Sequence, residues 1–135
     1  MGDRPMNIFE ISGRAMSAQL VRLNATASNM ANAGTVTGSE KTAYRSIRPV
    51  FTSVTDSPGV STVKVENVVQ GNVKPTMRHD PGHPLADKDG NVWEAGVDSS
   101  AELVDMIESA RMYQNNVEVM QTAKSLTLDT IRLGK

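Results

Sequence analysis

The stretch FEISGRAMSAQLVRLNATASNMANAG, residues 9–34, decides how this chain can fold. Four large apolar residues recur in it every seven positions: Phe9, Met16, Leu23 and Met30. Other apolar or small residues, including Leu20 and Ala27, follow each of the first three by four positions. This alternating spacing is the signature of a coiled-coil seam. It predicts a helix over 8–32, which would be about 37 Å long at the rise of an α-helix.

A second periodic stretch covers residues 98–133. Ser99 and Glu102 have the spacing of a capping box at its start, and Gly134 follows as a stop signal. One apolar stripe consists of Leu103, Met106, Ala110, Tyr113, Val117, Met120 and Ile131. A second stripe consists of Met112, Val119, Ala123, Leu126 and Leu133. Because an ordinary surface helix has one apolar face, two stripes predict neighbours on two sides of this helix.

The middle of the chain, residues 35–97, has a different character. Turn sequences punctuate it at DSPG (56–59), DPGHP (80–84) and DKDGN (87–91). Between them lie strand-like runs at 44–51, 60–69 and 72–77, and Pro49 suits an edge strand. We therefore predict an α+β fold in three parts. The N-terminal helix belongs to residues 1–34, a β-rich insert of hairpins and long loops to 35–97, and the C-terminal helix to 98–135.

The predicted helices are too long for a compact domain of 135 residues. The C-terminal helix alone would span about 50 Å, whereas a globule of this length has a radius of gyration of about 14 Å. The apolar surface that one chain cannot cover is therefore expected to contact other chains.

Composition excludes several classes of function. The net charge is −1 and there is no cysteine, which argues against a nucleic-acid or membrane-surface partner and against disulfides. No apolar run approaches the roughly 18 residues of a membrane span, and no cleavable leader is expected. Neither a glycine-rich phosphate loop nor a nucleophile elbow is present. We expect no catalytic residue, no cofactor and no metal.

Residues 79–92 contain the strongest alternative. His79 and His83 are four apart, and with Asp87 they could serve a small metal-dependent hydrolase. Asp87, Asp89 and Asn91 imitate the start of a calcium loop, but its sixth position is Val92 instead of glycine. Turns, including one at Asp89-Gly90, are the favoured interpretation. A Met-lined groove for peptides is a third alternative.

Four motifs resemble the bacterial flagellar axial proteins, and among them the proximal rod proteins. The first motif lies near the N-terminus and consists of Leu23-Asn24, Ala27-Ser28-Asn29 and Ala31-Asn32-Ala33 followed by Thr35. The others are YRSIRPVF at 44–51, HDPGHPLADKDGNV at 79–92, and the last helix from ELVDMIESARMYQNN onward at 102–135. The resemblance covers nearly the whole chain.

This resemblance implies a structural subunit of the flagellar basal-body rod in the periplasm, exported by the flagellar type III apparatus without a cleaved leader. Implied partners are other rod proteins, both proximal and distal, the export-gate adaptor and further copies of the chain. The terminal helices would form the assembly interface, and Asn24, Asn29 and Asn32 would pair across subunits and fix register. Alternatively, these asparagines face solvent. The expected interface residues are Phe9, Met16, Leu20, Leu23, Asn24, Ala27, Asn29, Met30, Asn32, Leu103, Met106, Met112, Tyr113, Val117, Val119, Met120, Ala123, Leu126, Ile131 and Leu133.

Overall fold

The computed structural model describes residues 7–134 and confirms the α+β fold, with long helices at both ends of a β-rich insert. In chain order the elements are α1 (Ile8–Asn32), β1 (Val36–Thr37), a 3-10 turn (Glu40–Thr42), β2 (Ile47–Ser57), β3 (Val60–Gln70), β4 (Thr76–His79), β5 (Asn91–Glu94) and α2 (Ser99–Leu133). Residues 1–6 and Lys135, which the predicted N- and C-terminal parts include, lie outside the described residues. The three-part division itself stays a prediction.

Helix α1 begins at a capping box that the sequence analysis did not predict. The Asn7 side chain accepts a hydrogen bond from the Glu10 amide at 3.0 Å. The Glu10 carboxylate in turn accepts one from the Asn7 amide at 3.2 Å. Two amides that the helix itself leaves unsatisfied are thereby paired, which fixes the first turn.

The capping box predicted for α2 is wrong. The N-cap is Asp98, whose carboxylate accepts hydrogen bonds from the amides of Ser100 and Ala101 at 3.1 and 3.2 Å. Because a charged carboxylate already satisfies these amides, Glu102 is free to turn inward, where only 1% of it is exposed. The helix ends at Leu133 with Gly134 as its C-cap, as the stop signal predicted.

The two helices pack against each other in antiparallel orientation. Asn29 lies opposite Glu102, Arg22 lies opposite Asp105, and Ile8 shares a shallow pocket with Val119. Since α1 has 25 residues and α2 has 35, α2 continues about 15 Å past the start of α1. We call residues 124–133 the projecting end, and all of them are exposed.

Strands β2 and β3 form a long antiparallel hairpin, called the ribbon below. They are joined at Gly59, whose φ of +82° is in the region that favours glycine, and this agrees with the predicted DSPG turn. The run predicted at 44–51 becomes strand only from Ile47 onward, and the run at 72–77 only from Thr76. The ribbon packs on α1, so α1 is covered by α2 on one side and by the ribbon on another.

A small sheet with strand order β1-β5-β4 completes the insert. Its central strand buries Val92 completely. Residues 80–90 join β4 to β5 as a hydrogen-bonded loop and end at Gly90, with φ +76°. The predicted turn at Asp89-Gly90 is therefore present, but within a connection longer than a two-residue hairpin.

The segment before β2 is held where three pieces of chain cross. The Gly71 amide donates to the Ser46 carbonyl at 2.7 Å, and the Ser46 amide donates to the Gly96 carbonyl at 3.1 Å. A Cβ on Gly96 would overlap the Val73 carbonyl oxygen, so only glycine fits there. This crossing sets the position of residues 44–48, which carry two side chains of the interior described next.

Candidate assembly interface

Asn29 is the most completely paired polar side chain between α1, α2 and the start of β2. Its amide nitrogen donates to the Ile47 carbonyl at 2.9 Å and to the Glu102 carboxylate at 3.0 Å. Its amide oxygen accepts from the Tyr44 hydroxyl and from the Ile47 amide, both at 2.8 Å. All four of its hydrogen-bonding positions are therefore occupied within the chain, and only 1% of the residue is exposed.

Glu102, which accepts a hydrogen bond from Asn29, also belongs to a set of ion pairs that extends towards solvent. Arg48 donates to Glu102 at 3.2 Å and to Asp105 at 2.7 Å. Arg22 donates to the other oxygen of Asp105 at 2.9 Å. We call Arg22, Asn29, Arg48, Glu102 and Asp105 the polar cluster. It joins α1, α2 and the ribbon, so their relative positions depend on one connected set of bonds.

The charges of the polar cluster differ in exposure. The Glu102 side chain is 1% exposed and that of Asp105 is 21% exposed, whereas Arg48 is 42% exposed. Partial burial raises the pKa of Asp105, but its hydrogen bonds and charge pairing with Arg48 and Arg22 outweigh this and hold the pKa below 3.8. Asp105 is therefore ionised at neutral pH.

Apart from this cluster, the interior consists of small residues. Among the described residues, the buried apolar side chains are Ala18, Ala25, Ala43, Val92 and Ala95. On α1 the other buried positions are Ser12, Thr26 and Asn29. Because such side chains have little bulk, the backbones approach closely, but the apolar area that they remove from water is small. Much of the specificity of the interior must come from directional polar contacts.

The larger apolar residues lie mostly outside this interior. Met112, Val119, Leu126 and Leu133 are spaced by seven residues along α2, and we call them the outer stripe. They are 39, 44, 62 and 89% exposed, in that order. The second predicted stripe, except half-buried Ala123, is therefore an uncovered face of the subunit. Three further large apolar residues of this helix are exposed and lie outside both predicted stripes: Val104, Ile107 and Leu128.

The remaining predicted interface residues are only partly covered. On α2 the half-buried ones are Met106, Tyr113, Val117 and Met120, whereas Leu103 and Ile131 are exposed. On α1 the half-buried ones are Phe9, Met16, Leu23 and Met30, whereas Leu20, Asn24 and Ala27 are exposed. The predicted seam of α1 is thus not the most buried part of that helix.

The three asparagines of α1 have different environments. The Asn32 side chain donates to the Ser28 carbonyl one turn earlier, at 2.9 Å. Asn24 is exposed, whereas Asn29 is buried inside the subunit. Pairing of Asn29 across subunits is therefore contradicted, because its partners lie in the same chain. One signal of this position is present in the sequence, because Asn29 follows Ala18, Arg22 and Ala25 at helical spacing on the small-residue side of α1.

The side chains of the alternative metal site stabilise the loop between β4 and β5. The Asp87 carboxylate accepts hydrogen bonds from the amides of Asp89 and Asn91, both at 2.9 Å. His83 accepts from the Leu85 amide at 3.0 Å, and His79 contacts the Asn91 side chain at 3.1 Å. Within residues 7–134, no three His, Cys, Asp or Glu side chains are grouped so that they could hold a metal ion.

In the same part of the chain, neither helix is both long and apolar enough to cross a membrane.

Two family models match the chain. Residues 9–38 match the flagella basal body rod protein family, and residues 88–133 match the C-terminal region of the flagellar basal body rod FlgEFG proteins. Three proteins called flagellar basal-body rod protein FlgC are similar over 96% of this chain and 98% of their own length. They come from Escherichia coli O6:H1 at 44% identity, Salmonella typhimurium at 43% and Yersinia enterocolitica at 46%.

Proposed function

Because the chain belongs to the FlgC family of flagellar basal-body rod proteins, we infer that it is a structural subunit of the flagellar rod. It is located in the flagellar basal body and serves motility. It is not an enzyme, because the family is one of structural rod proteins. The hydrolase alternative at His79, His83 and Asp87 has no support, since these side chains are bonded within a loop.

We further propose that assembly uses the faces of the helices that the subunit leaves uncovered. The observation that carries this proposal is the outer stripe, whose exposure rises to 89% at Leu133. Apolar residues at heptad spacing on a helix are suited to a neighbouring helix. Covering them removes apolar area from water at about 25 cal/mol per Å², which favours association.

Rod proteins assemble with other rod and basal-body components. We propose as specific neighbours further copies of the chain, the other proximal rod subunits, the distal rod protein and the export-gate adaptor. We also propose that the rod containing this subunit spans the periplasm and that the flagellar type III apparatus exports the chain. The similarity to FlgC proteins along almost the whole chain supports these proposals.

The structure changes which residues we propose for the interface. Asn29 belongs to the interior of the subunit, where it holds α1 to α2 and to the ribbon. Asn24 stays a candidate for contacts between subunits because it is exposed. The four residues of the predicted seam of α1 are half-buried, so a neighbouring subunit could cover only the part of each side chain that is still exposed. They are Phe9, Met16, Leu23 and Met30.

A pair of matched substitutions tests the use of the outer stripe. Val119 in the stripe is 44% exposed, and Leu128, outside it, is 43% exposed. Each would be replaced by aspartate in a strain whose own gene for this chain has been deleted. We expect Val119→Asp to prevent rod assembly and swimming, because the charge would be buried at the contact. Leu128→Asp should retain both.

The measurements are swimming in soft agar and the amount of this chain in isolated basal bodies. Circular dichroism of the purified variants checks that both still fold. Normal swimming with Val119→Asp would show that the outer stripe is not an assembly surface. If the deletion strain itself swims and builds normal rods, the chain is not a required rod subunit.

A further inference from the structure

We propose that the projecting end of one subunit docks in the groove between α1 and the ribbon of a second copy of this chain. The proposal rests on the inferred rod function and deepens it, because it names the two surfaces that meet. One surface is the last part of α2, and the other lies on a different side of the molecule.

The projecting end has an apolar face that residues 7–134 leave largely uncovered, since only Leu126 borders a shallow pocket with Ile8. Leu126 is 62% exposed and Leu133 is 89% exposed. Asp129 lies between them, three residues after the first and four before the second, so all three side chains share one face. Asp129 forms no hydrogen bond or ion pair with another of the described residues.

The groove has the chemistry to receive such a face. Valines of the ribbon line one side: Val54, Val63 and Val65. Gly13, Ser17, Ala18 and Val21 of α1 line the other side. Gly13 and Ser17 are four residues apart on the same face of the helix, and their small size allows another helix to approach closely. The open volume of the groove is about 890 Å³.

The two surfaces also match in length. The part of α1 that lines the groove runs from Glu10 to Val21, which is about 17 Å at the rise of an α-helix. The projecting end is about 15 Å long by the same measure. Leu126 and Leu133, seven residues apart, are separated by about 10 Å along the axis, so both fit within the groove.

Charge favours the same pairing. Arg14 and Lys64 line the groove, both are exposed, and neither forms an ion pair with another described residue. Glu10 also lines the groove, but its carboxylate is bonded at the start of α1. Between its two leucines the projecting end supplies the carboxylate of Asp129, which has no ion-pair partner among residues 7–134. Since an exposed ion pair contributes little to affinity, we assign it the role of fixing register.

The geometry of this contact determines how it propagates. The two surfaces are different parts of the chain, so each docked copy still has one free groove or one free projecting end. Such a heterologous contact continues from copy to copy and forms an open helix or a ring instead of a closed dimer. This is the kind of contact that the wall of a rod requires.

Cross-linking tests the pairing directly, since the chain has no cysteine of its own. The test variant carries Arg14→Cys and Asp129→Cys. Within one subunit these positions lie roughly 20 Å apart along the antiparallel helices. A bismaleimide of about half that reach can therefore join them only between subunits. The matched control carries Arg14→Cys and Thr127→Cys, which puts the second thiol on the opposite side of the projecting end and about 15 Å from position 14 along the helices of one subunit.

The reaction would be carried out on isolated basal bodies, with detection by antibody to this chain. We expect the test variant to give a ladder of dimers, trimers and larger species, and the control variant to give mainly monomer. Co-expressed single variants should stop at dimers. Absence of a ladder, although the chain is present in the basal bodies, would overturn the docking while leaving the rod function intact. Absence of the chain from basal bodies would instead count against the rod function.

Exchange of the two charges provides a second test. Asp129→Lys and Arg14→Glu should each lower the amount of this chain in rods several-fold, because like charges would then meet. The double variant should recover most of the loss, since the pair is restored with reversed signs. If Asp129→Lys reduces assembly and Arg14→Glu fails to restore it, the projecting end docks on another partner, such as a different rod protein or residues 1–6. That outcome would overturn the proposal.

Discussion

The substitution Asn29→Ala tests whether the polar cluster holds the subunit together. It removes three hydrogen bonds to neutral groups, at about 1 kcal/mol each, and one to a carboxylate, at about 2 kcal/mol. Part of this loss is offset. The Tyr44 hydroxyl retains its contact with Ser28 at 3.1 Å, and Glu102 retains Arg48 at 3.2 Å. Alanine also favours the helix by about 0.6 kcal/mol.

We therefore expect Asn29→Ala to lower the free energy of unfolding by about 3 to 4 kcal/mol, a large part of the 5–15 kcal/mol typical of a domain. The measurement is urea unfolding of dilute protein at neutral pH, followed by circular dichroism. The matched control is Asn24→Ala on the same helix, where the side chain is exposed. Its effect should stay within about 0.6 kcal/mol, the size of the difference in helix propensity.

If Asn29→Ala prevents folding altogether, Tyr44→Phe gives a milder version of the same test. It removes only the hydroxyl, which donates to Asn29 at 2.8 Å and contacts Ser28 at 3.1 Å, so we expect a loss of about 1 to 2 kcal/mol. If Asn29→Ala lowers the free energy of unfolding by less than about 1 kcal/mol, as little as the Asn24→Ala control, the polar cluster does not hold the subunit together. This result would mean that water replaces the four bonds at little cost and that other contacts hold the helices.

Three further predictions concern Asp105, Gly96 and the projecting end. Because the pKa of Asp105 is lower in the folded state, its contribution to the free energy of unfolding should be complete above about pH 5 and should disappear as the pH falls below about 3.8. The variant Asp105→Asn should therefore flatten that part of a plot of the free energy of unfolding against pH. An unchanged slope would contradict the pairing of Asp105 with the two arginines. Gly96→Ala should destabilise the protein by more than about 2 kcal/mol in urea unfolding because its Cβ would overlap the Val73 carbonyl oxygen, whereas Gly34→Ala, with open space around it, should not. In hydrogen exchange of dilute subunit, amides of 124–133 should exchange fastest within α2, since these residues are all exposed in the part of the subunit that the structure describes. Strong protection there would mean that the subunit covers its own projecting end.

The elements that the sequence predicted are those with strong local patterns. Helix α1 occupies Ile8–Asn32, the range expected from its apolar spacing. Strand β3 covers the alternating run at 60–69, and glycine with positive φ ends or forms the predicted turns. Two stripes on one helix cannot both face a single neighbour, so the sequence predicted neighbours on two sides of α2 without indicating which stripe the subunit leaves exposed; Val119 and Leu126 lie on the exposed one.

The polar cluster could not be predicted in this way. Arg22, Arg48 and Glu102 are far apart in the chain, and each alone resembles an ordinary surface charge. Glu102 also stands three residues after Ser99, a spacing that suggests a cap. The competing signal was its spacing with Met106 and Ser109, which places it on the inward side of α2. Burial of the carboxylate depends on Arg48, whose position is set by the distant crossing at Gly96.

The distribution of side chains in this subunit suits a protein that completes its packing in an assembly. Its interior contains alanine, serine and a fully bonded asparagine, whereas leucines with exposures of 62 and 89% lie on the projecting end. If the contact between α1 and α2 were as apolar as the outer stripe, either helix face could pack inside the subunit at similar cost. The polar cluster reduces this ambiguity, because turning the outer stripe inward would break the hydrogen bonds of Glu102 to Asn29 and Arg48, and a bond to a charged group contributes about 2 kcal/mol. The polar cluster thereby favours keeping the outer stripe on the outside, where a neighbouring subunit can cover it.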